Sequence, residues 1–528
     1  MSNSVKNSAR RTASGPDAPI TLAQPAAQTL GLADSLGLWG NLGISLLLPV
    51  AATYVLLPGR PLVITVLAIV VGAVIGAVLL GLGAAPGARE GVPAMVLLRG
   101  LLGRRASAVP TILNLVQCIG WATFEIVIIA EAGSRALGTP RWPFVIGAGV
   151  MATAMALRPL GVMRVLGRYA VWVALAAAVY LFVQVLSQPL PAVSDGGATS
   201  FWKAADIVIA LPVSWFPLAA DYTRHVRSGR AAFVGSAVGY GAATIAFFTL
   251  GVLALAAYGA AGLDVIDALL AVPLGALAVL VLLVVEVDEA FANIYSTAVS
   301  AQNLAGKLDR RVLAGLVGTL ATVLALSFDI TSYEPFLFLL GAVFVPLVGV
   351  FVVAYYLIPR GTWDVSETAP ARPVLLLVWA AGFVAYQLTL PTYFTGPGQG
   401  WTTWWAARQS SLGIDAANGW SASLVSLAVA AVLTALVMAP SAVAARRRAN
   451  GLRSVGERIA ALCTGSRHER VPSPPDVRRC GHGRASAWNP DSGRGWRRLT
   501  RHRRVVQTRA PRPGRHRAAV EPTPRPQR

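Results

Sequence analysis

Twelve mainly apolar stretches dominate the chain, at residues 36–57, 61–84, 108–132, 141–157, 167–187, 203–220, 232–259, 272–300, 312–328, 334–358, 373–391 and 420–441. About 20 such residues in helical form cross the roughly 30 Å of bilayer hydrocarbon. No water reaches that depth to bond a free backbone group, so only helices or closed barrels span it. None of the stretches alternates with the period of a strand. The expectation is an all-α integral membrane protein with twelve transmembrane helices.

Charge divides the chain into three parts. The formal net charge is +21, which on a soluble protein would suggest a nucleic-acid binder, yet only 13% of residues are charged. From Ser441 onward there are 22 arginines and five acids, a net of +17, while the first 440 residues carry a net of +4. Residues 441–528 are Arg- and Pro-rich with little to bury, so they read as a disordered tail, and residues 1–30 as a disordered leader. Neither the body nor the tail points to a nucleic acid. The 23 basic residues of the body fall 18 to five on alternate loops, which puts both termini in the cytoplasm by the positive-inside rule. The cell membrane is the expected location.

Ionisable groups inside a span cost about 2.5–3.5 kcal/mol each on insertion scales and mark sites by default. In the third span, Gln117, Trp121 and Glu125 recur at four-residue intervals and share one face. An aromatic plane beside a carboxylate suits a flat heterocycle, the ring stacking and the acid pairing with ring N–H groups. The eighth span carries Glu286, Asp288, Glu289 and Asn293, the least lipid-compatible passage of the body. Glu286, Glu289 and Asn293 share a face, and hard oxygens there suit Na+ or a carried proton.

Two spans look interrupted. The first contains Gly40-Asn41-Leu42-Gly43, and the sixth contains Pro212-Val213-Ser214-Trp215-Phe216-Pro217. They open the first and second sets of five spans. Such breaks at corresponding places in two halves point to a transporter with repeated halves and a midplane site. Carbonyls freed near Gly40 and Gly43 would then join Asp288 and Glu286 around a cation. Asp221 and Arg224, at the cytoplasmic end of span six, form a gate or a helix-end contact. No P-loop is present, and all five histidines lie outside the spans or in the tail, so neither an ATP site nor a histidine metal set is expected.

These residues resemble the nucleobase:cation symporter-1 family, the permeases for cytosine, purines, uracil, allantoin, hydantoins and thiamine precursors, over about residues 30–440. The resemblance rests on Gly120-Trp121 followed by Glu125, on Asp221-Tyr222-Thr223-Arg224, and on Asn293-Ile294-Tyr295-Ser296. Ser214-Trp215-Phe216-Pro217 with Asp288-Glu289-Ala290-Phe291-Ala292-Asn293 is similar to the bacterial subgroup regarded as hydroxymethylpyrimidine transporters. The family implies a leucine-transporter-like fold of five plus five inverted-repeat helices and two more. It implies a permease domain over 31–440 that imports a nucleobase or related pyrimidine, such as cytosine or hydroxymethylpyrimidine, with Na+ or H+ and no other cofactor.

By that resemblance, Trp121 stacks on the base, Glu125 bonds its edge and Trp215 covers the other face. Asn293 pairs with a carbonyl or amine, with Gln117, Ser214 and Glu289 nearby. The cation sits between Gly40, Asn41, Gly43 and the eighth span. The oligomeric state stays open, a monomer being sufficient. Two other readings remain: an amino-acid or amine transporter on the same fold, and a membrane-embedded metal-dependent enzyme built on Glu286, Asp288 and Glu289.

Overall fold

Each of the twelve stretches is a helix or a pair of helices in the computed structural model. It describes residues 19–439, apart from residues 23, 25, 166–167, 170, 194–195, 260–263, 329, 331–332, 359–361, 395–397 and 416–418. The expected tail, 441–528, and residues 1–18 of the expected leader lie outside the described residues. Span one is α1 (Leu32–Leu42) plus α2 (Leu47–Val55), and α3 (Leu62–Glu90) follows. Two short helices, α4 (Ala94–Leu97) and α5 (Arg99–Leu102), lead into α6 (Ala108–Leu137) and α7 (Trp142–Leu157). After α8 (Pro159–Val165) and α9 (Val171–Leu186), span six is α10 (Phe201–Ser214) plus α11 (Phe216–Thr223). Then come α12 (Gly229–Tyr258), the short α13 (Val265–Ala271), α14 (Gly275–Leu304), α15 (Arg310–Ala325) and α16 (Tyr333–Val352). The last described helices are α17 (Val374–Thr389), α18 (Gln399–Ser411) and α19 (Ala422–Ala439).

By length and composition six of these are apolar enough to cross a bilayer, or seven with the bent pair α1–α2 counted as one span. Three shorter apolar helices correspond to spans four, five and eleven. The two remaining stretches are α14, which carries the three carboxylates, and α15, with 16 residues. Among the described residues there is no strand, only an isolated bridge between Leu30 and Val226.

The helices pack as two groups. Spans one, two, six and seven lie along one another through α3 and α12, and spans three, four, eight and nine do so through α6 and α14. These are the first two and the next two helices of each set of five, the arrangement that repeated halves produce. Close approach within the first group depends on small residues, as in membrane helices generally. A Cβ on Gly72 of α3 would lie 2.6 Å from the Ala205 carbonyl of α10, and one on Gly43 would lie 2.7 Å from Ala243 Cβ of α12.

Within the stretch expected as a disordered leader, the described residues of 19–30 cross the ends of both helix groups, held by partners far away in sequence. Arg310 donates from its backbone to Ile20 at 3.2 Å and from Nε to the Pro19 carbonyl at 3.3 Å, and Gln302 donates to Ile20 at 2.6 Å. At the other end Gln28 donates to the Ala88 carbonyl at 2.7 Å, and His225 Nδ1 donates to Ala27 at 3.1 Å. Leu30 exchanges backbone bonds with His225 and Arg227, each at 3.0 Å. Ser, Ala and Pro composition hides such a segment because its backbone supplies most of the contacts.

Two outcomes follow. Gly43→Ala overpacks the α1–α12 contact at a cost of about 1–3 kcal/mol. It lowers the melting temperature in detergent, and Ala243→Gly on top recovers most of the loss. His225, just past α11, is held neutral: burial and then the neighbouring Arg224 charge push its pKa down to about 3. The unfolded imidazole takes up a proton below about pH 6.5 while the folded one does not. Stability therefore falls as pH drops from 6.5 towards 3, by at most about 1.4 kcal/mol per pH unit. Melting curves from pH 7 to 5 show this slope, and His225→Gln flattens it.

Candidate substrate and cation site

The site is built where the two interrupted spans meet α6, α12 and α14. In span one the helix stops at Leu42 and restarts at Leu47, with the two axes 61° apart. The new helix begins inside the protein, so its first amides have no preceding turn to bond. Glu286 of α14 supplies the missing acceptors: Oε2 takes the Leu46 N–H at 2.7 Å and Oε1 the Ser45 hydroxyl at 2.8 Å. Ser45 Oγ also accepts from the Leu47 amide at 3.1 Å. Two residues on, Asp288 accepts from the Asn41 side-chain amide. Asn41 Oδ1 and Asp288 Oδ1 are both buried without a hydrogen-bond partner.

Span six breaks more gently at Trp215, between α10 and α11. Gln117 of α6 donates to the Ser214 carbonyl at 2.9 Å and to Asn114 at 2.8 Å, holding that break against the third span. Trp215 lies against Trp39, Tyr222 and Tyr240 at centroid distances of 5.8, 6.2 and 5.8 Å, and its indole N–H donates to the Tyr240 hydroxyl at 2.8 Å. Across from it, Trp121 is fixed edge-on by Phe336 and Tyr333 at 5.3 and 6.0 Å.

Trp121, Glu125, Ser214, Trp215, Glu289 and Asn293 line one enclosed cavity of about 10 Å³, room for about one water. Three of its polar atoms have no partner: Trp121 Nε1, Glu125 Oε2 and Glu289 Oε1. Among the described residues, no lysine or arginine forms an ion pair with Glu125, Glu286, Asp288 or Glu289. A cavity with two acids in its wall, Glu125 and Glu289, and no fixed base favours a ligand rich in N–H groups.

Other sequence-predicted residues sit elsewhere. Gln117 is behind the cavity wall rather than in it. Gly40 and Gly43 face α12, where Gly43 allows close approach, and Glu286 has both oxygens committed to span one. The expected pair Asp221 and Arg224 meets through the backbone, Arg224 Nε donating to the Asp221 carbonyl at 3.2 Å, and each side chain also reaches a further partner. Asp221 accepts from the Ala94 amide at 2.9 Å, whereas Arg224 crosses to the Tyr295 hydroxyl of α14 at 2.9 Å.

Sequence reasoning missed Tyr240 and Ser45 in the lining, and Asp206 in α10. Buried Asp206 accepts from the Ser421 hydroxyl at 2.5 Å and from the Ala422 and Ser423 amides at 2.7 and 3.2 Å, so it caps α19 from span six. An acid inside the sixth apolar stretch was a signal that could have found it.

Residues 38–373, more than half of the chain, match the family of permeases for cytosine and purines, uracil, thiamine and allantoin. The chain belongs to this permease family. It is thus a multi-pass membrane transporter for nucleobase-type small molecules and not an enzyme. Comparison with curated protein sequences finds no match.

Among solved structures, the permease is similar to Mhp1, a nucleobase-cation-symport-1 transporter, in a closed conformation with bromovinylhydantoin bound. The TM-score is 0.60 at 17% identity, covering 79% of this chain and 93% of that one. Mhp1 facing inward matches with a TM-score of 0.57 at 19% identity, over 76% and 92% of the two chains. A Na+-coupled sialic acid symporter, substrate-bound and outward-open, matches with a TM-score of 0.53 at 11% identity, over 78% and 90%. These likenesses show the leucine-transporter-like fold.

The Trp215–Tyr240 bond gives a test of the lining. Tyr240→Phe keeps the ring but strands the buried indole N–H, a loss of about 1 kcal/mol or more. In uptake assays the apparent KM for the best substrate rises roughly five- to tenfold, with little change in the amount of folded protein.

Proposed function

We propose that the permease is a secondary active symporter that imports a pyrimidine such as cytosine or hydroxymethylpyrimidine across the cell membrane, with both termini cytoplasmic. The observation that carries this reading is the convergence of Trp121, Glu125, Trp215, Glu289 and Asn293 on one enclosed cavity at the two span breaks. Trp121 stacks on the ring and Trp215 closes the other face. Glu125 accepts from an amino or ring N–H group, and Asn293, whose amide already donates to the Glu289 carbonyl at 3.0 Å, keeps a second N–H and its oxygen for the base.

Transport is coupled to Na+ or H+. Asn41 and Asp288, with an unpartnered oxygen each, are the residues assigned to the cation, together with the backbone of the Gly40–Gly43 turn. A cation there bridges span one to α14, hence one helix group to the other. Coupling requires only that it stabilise one arrangement of the two groups more than the other. Asp221 and Arg224 close the cytoplasmic side through Ala94 and Tyr295.

Reconstituted protein tests the assignment. Uptake of radiolabelled cytosine, hydroxymethylpyrimidine, uracil and hydantoin is measured with a Na+ gradient, with a pH gradient and with neither. Aminopyrimidines are taken up best, one of the two gradients drives accumulation, and Trp121→Ala and Glu125→Ala each cut uptake by about 100-fold or more, the loss of a desolvated stack or a charged hydrogen bond. Wild-type uptake by both variants, or stabilisation by amines rather than heterocycles, rejects it.

A further inference from the structure

Between spans eleven and twelve lies α18, 13 residues long and too short and polar to cross a bilayer. Around its axis the sequence divides into three faces. Trp405 and Gln409 are buried against α17. Thr403, Ala406 and Ser410 make a small, polar face on the far side. Trp401, Trp404, Arg408 and Leu412, three and four residues apart, form a third row. Trp401, Trp404 and Leu412 are 38, 50 and 62% exposed. A row of large apolar side chains left open in this way marks an interaction surface.

Its depth names the partner. The rings of Trp401 and Trp405 each lie 6.2 Å from that of Phe383 in α17, while Gln409 donates to the Leu388 and Thr389 carbonyls at 3.1 Å. Phe383 precedes Thr389 by six residues, about 9 Å along a helix that rises 1.5 Å per residue. The indoles therefore reach below the end of a membrane span, to the level of Val384, which is itself exposed on α17. What surrounds a membrane helix at that level is lipid. Tyr393 and Trp420, just beyond α17 and just before α19, add two more exposed rings on the same side, as in the aromatic belts of membrane surfaces. Arg408 lies over the Trp404 ring at 5.3 Å. No acid occurs in α18, and among the described residues Arg408 forms no ion pair.

We propose that α18 lies in the bilayer interface, with Trp401, Trp404 and Leu412 at the boundary of headgroups and acyl chains and Arg408 on a lipid phosphate. The partner is phospholipid. Guanidinium matches phosphate in charge and shape, and an interfacial helix buries its apolar face about 5–10 Å into that boundary. The contact fixes the depth of α17 and α19, the two helices beyond the repeated halves.

Site-directed spin labelling tests this in the full chain. Trp401→Cys, Trp404→Cys and Leu412→Cys, and Thr403→Cys and Ser410→Cys on the far face, are made one at a time with Cys463→Ser and Cys480→Ser, Cys118 being buried. Each nitroxide-labelled variant is reconstituted in phosphatidylcholine–phosphatidylglycerol vesicles. Collision with oxygen, which concentrates in lipid, is compared with collision with a neutral nickel chelate, which stays in water. Oxygen exceeds nickel by about threefold or more at 401, 404 and 412, and the order reverses at 403 and 410. Nickel collision at 401 and 404 equal to that at 403 and 410 overturns the proposal. Low collision with both probes overturns it too, because a second copy or another part of the chain then covers the row.

A photoactivatable phospholipid, reactive near the top of its acyl chain, gives a readout on the unsubstituted protein. Adducts are expected within residues 399–412, and their absence there alongside adducts on α17 overturns the proposal. Arg408→Gln lowers the yield from a phosphatidylglycerol probe by about fivefold and that from phosphatidylcholine by less. Unchanged yields from both overturn the placing of Arg408 on phosphate.

Discussion

A helix that starts in the middle of a membrane protein must find acceptors for its first amides, because no water is there to take them. In this permease that need arises at Leu46 and Leu47; a carboxylate from another span meets the first and the Ser45 hydroxyl the second. An ordinary membrane helix would have avoided the problem by running unbroken. The break is met by a buried acid, Glu286, and a second acid, Glu125, stands in the cavity wall nearby.

The two tryptophans solve a different problem. The cavity lies between the two helix groups and needs its aromatic walls held in place. Trp121 and Trp215 belong to opposite groups, and each is clamped by aromatic neighbours: Tyr333 and Phe336 of α16 for the first, Tyr240 and Trp39 for the second. Away from the cavity, Arg224 and the described residues of 19–30 also cross between the groups.

Spans, breaks and the Trp121–Glu125 face were legible in the sequence because each is a local pattern: hydropathy over about 20 residues, glycine and proline within a span, and spacing by four. Glu289 and Asn293 were legible because acids and amides stand out in an apolar helix. What could not be read is which partner a group finds. Glu286 looked like a cation ligand by its chemistry, and only the fold shows its oxygens spent on Ser45 and Leu46. Tyr240 carries no ionisable signature and matters through Trp215, 25 residues away. The strap at residues 19–30 was invisible because its bonds use backbone carbonyls whose donors, Gln302 and Arg310, lie far along the chain.

The most direct measurement is the position of a bound pyrimidine in the purified permease, by diffraction or electron microscopy with cytosine present. The account predicts the ring between Trp121 and Trp215, its amino edge on Glu125, and Glu286 still at the start of α2. A pyrimidine seated elsewhere, for instance in the apolar lipid-facing groove beside Trp172 and Leu277, or a bound ring with Glu125 turned away from it, would contradict it.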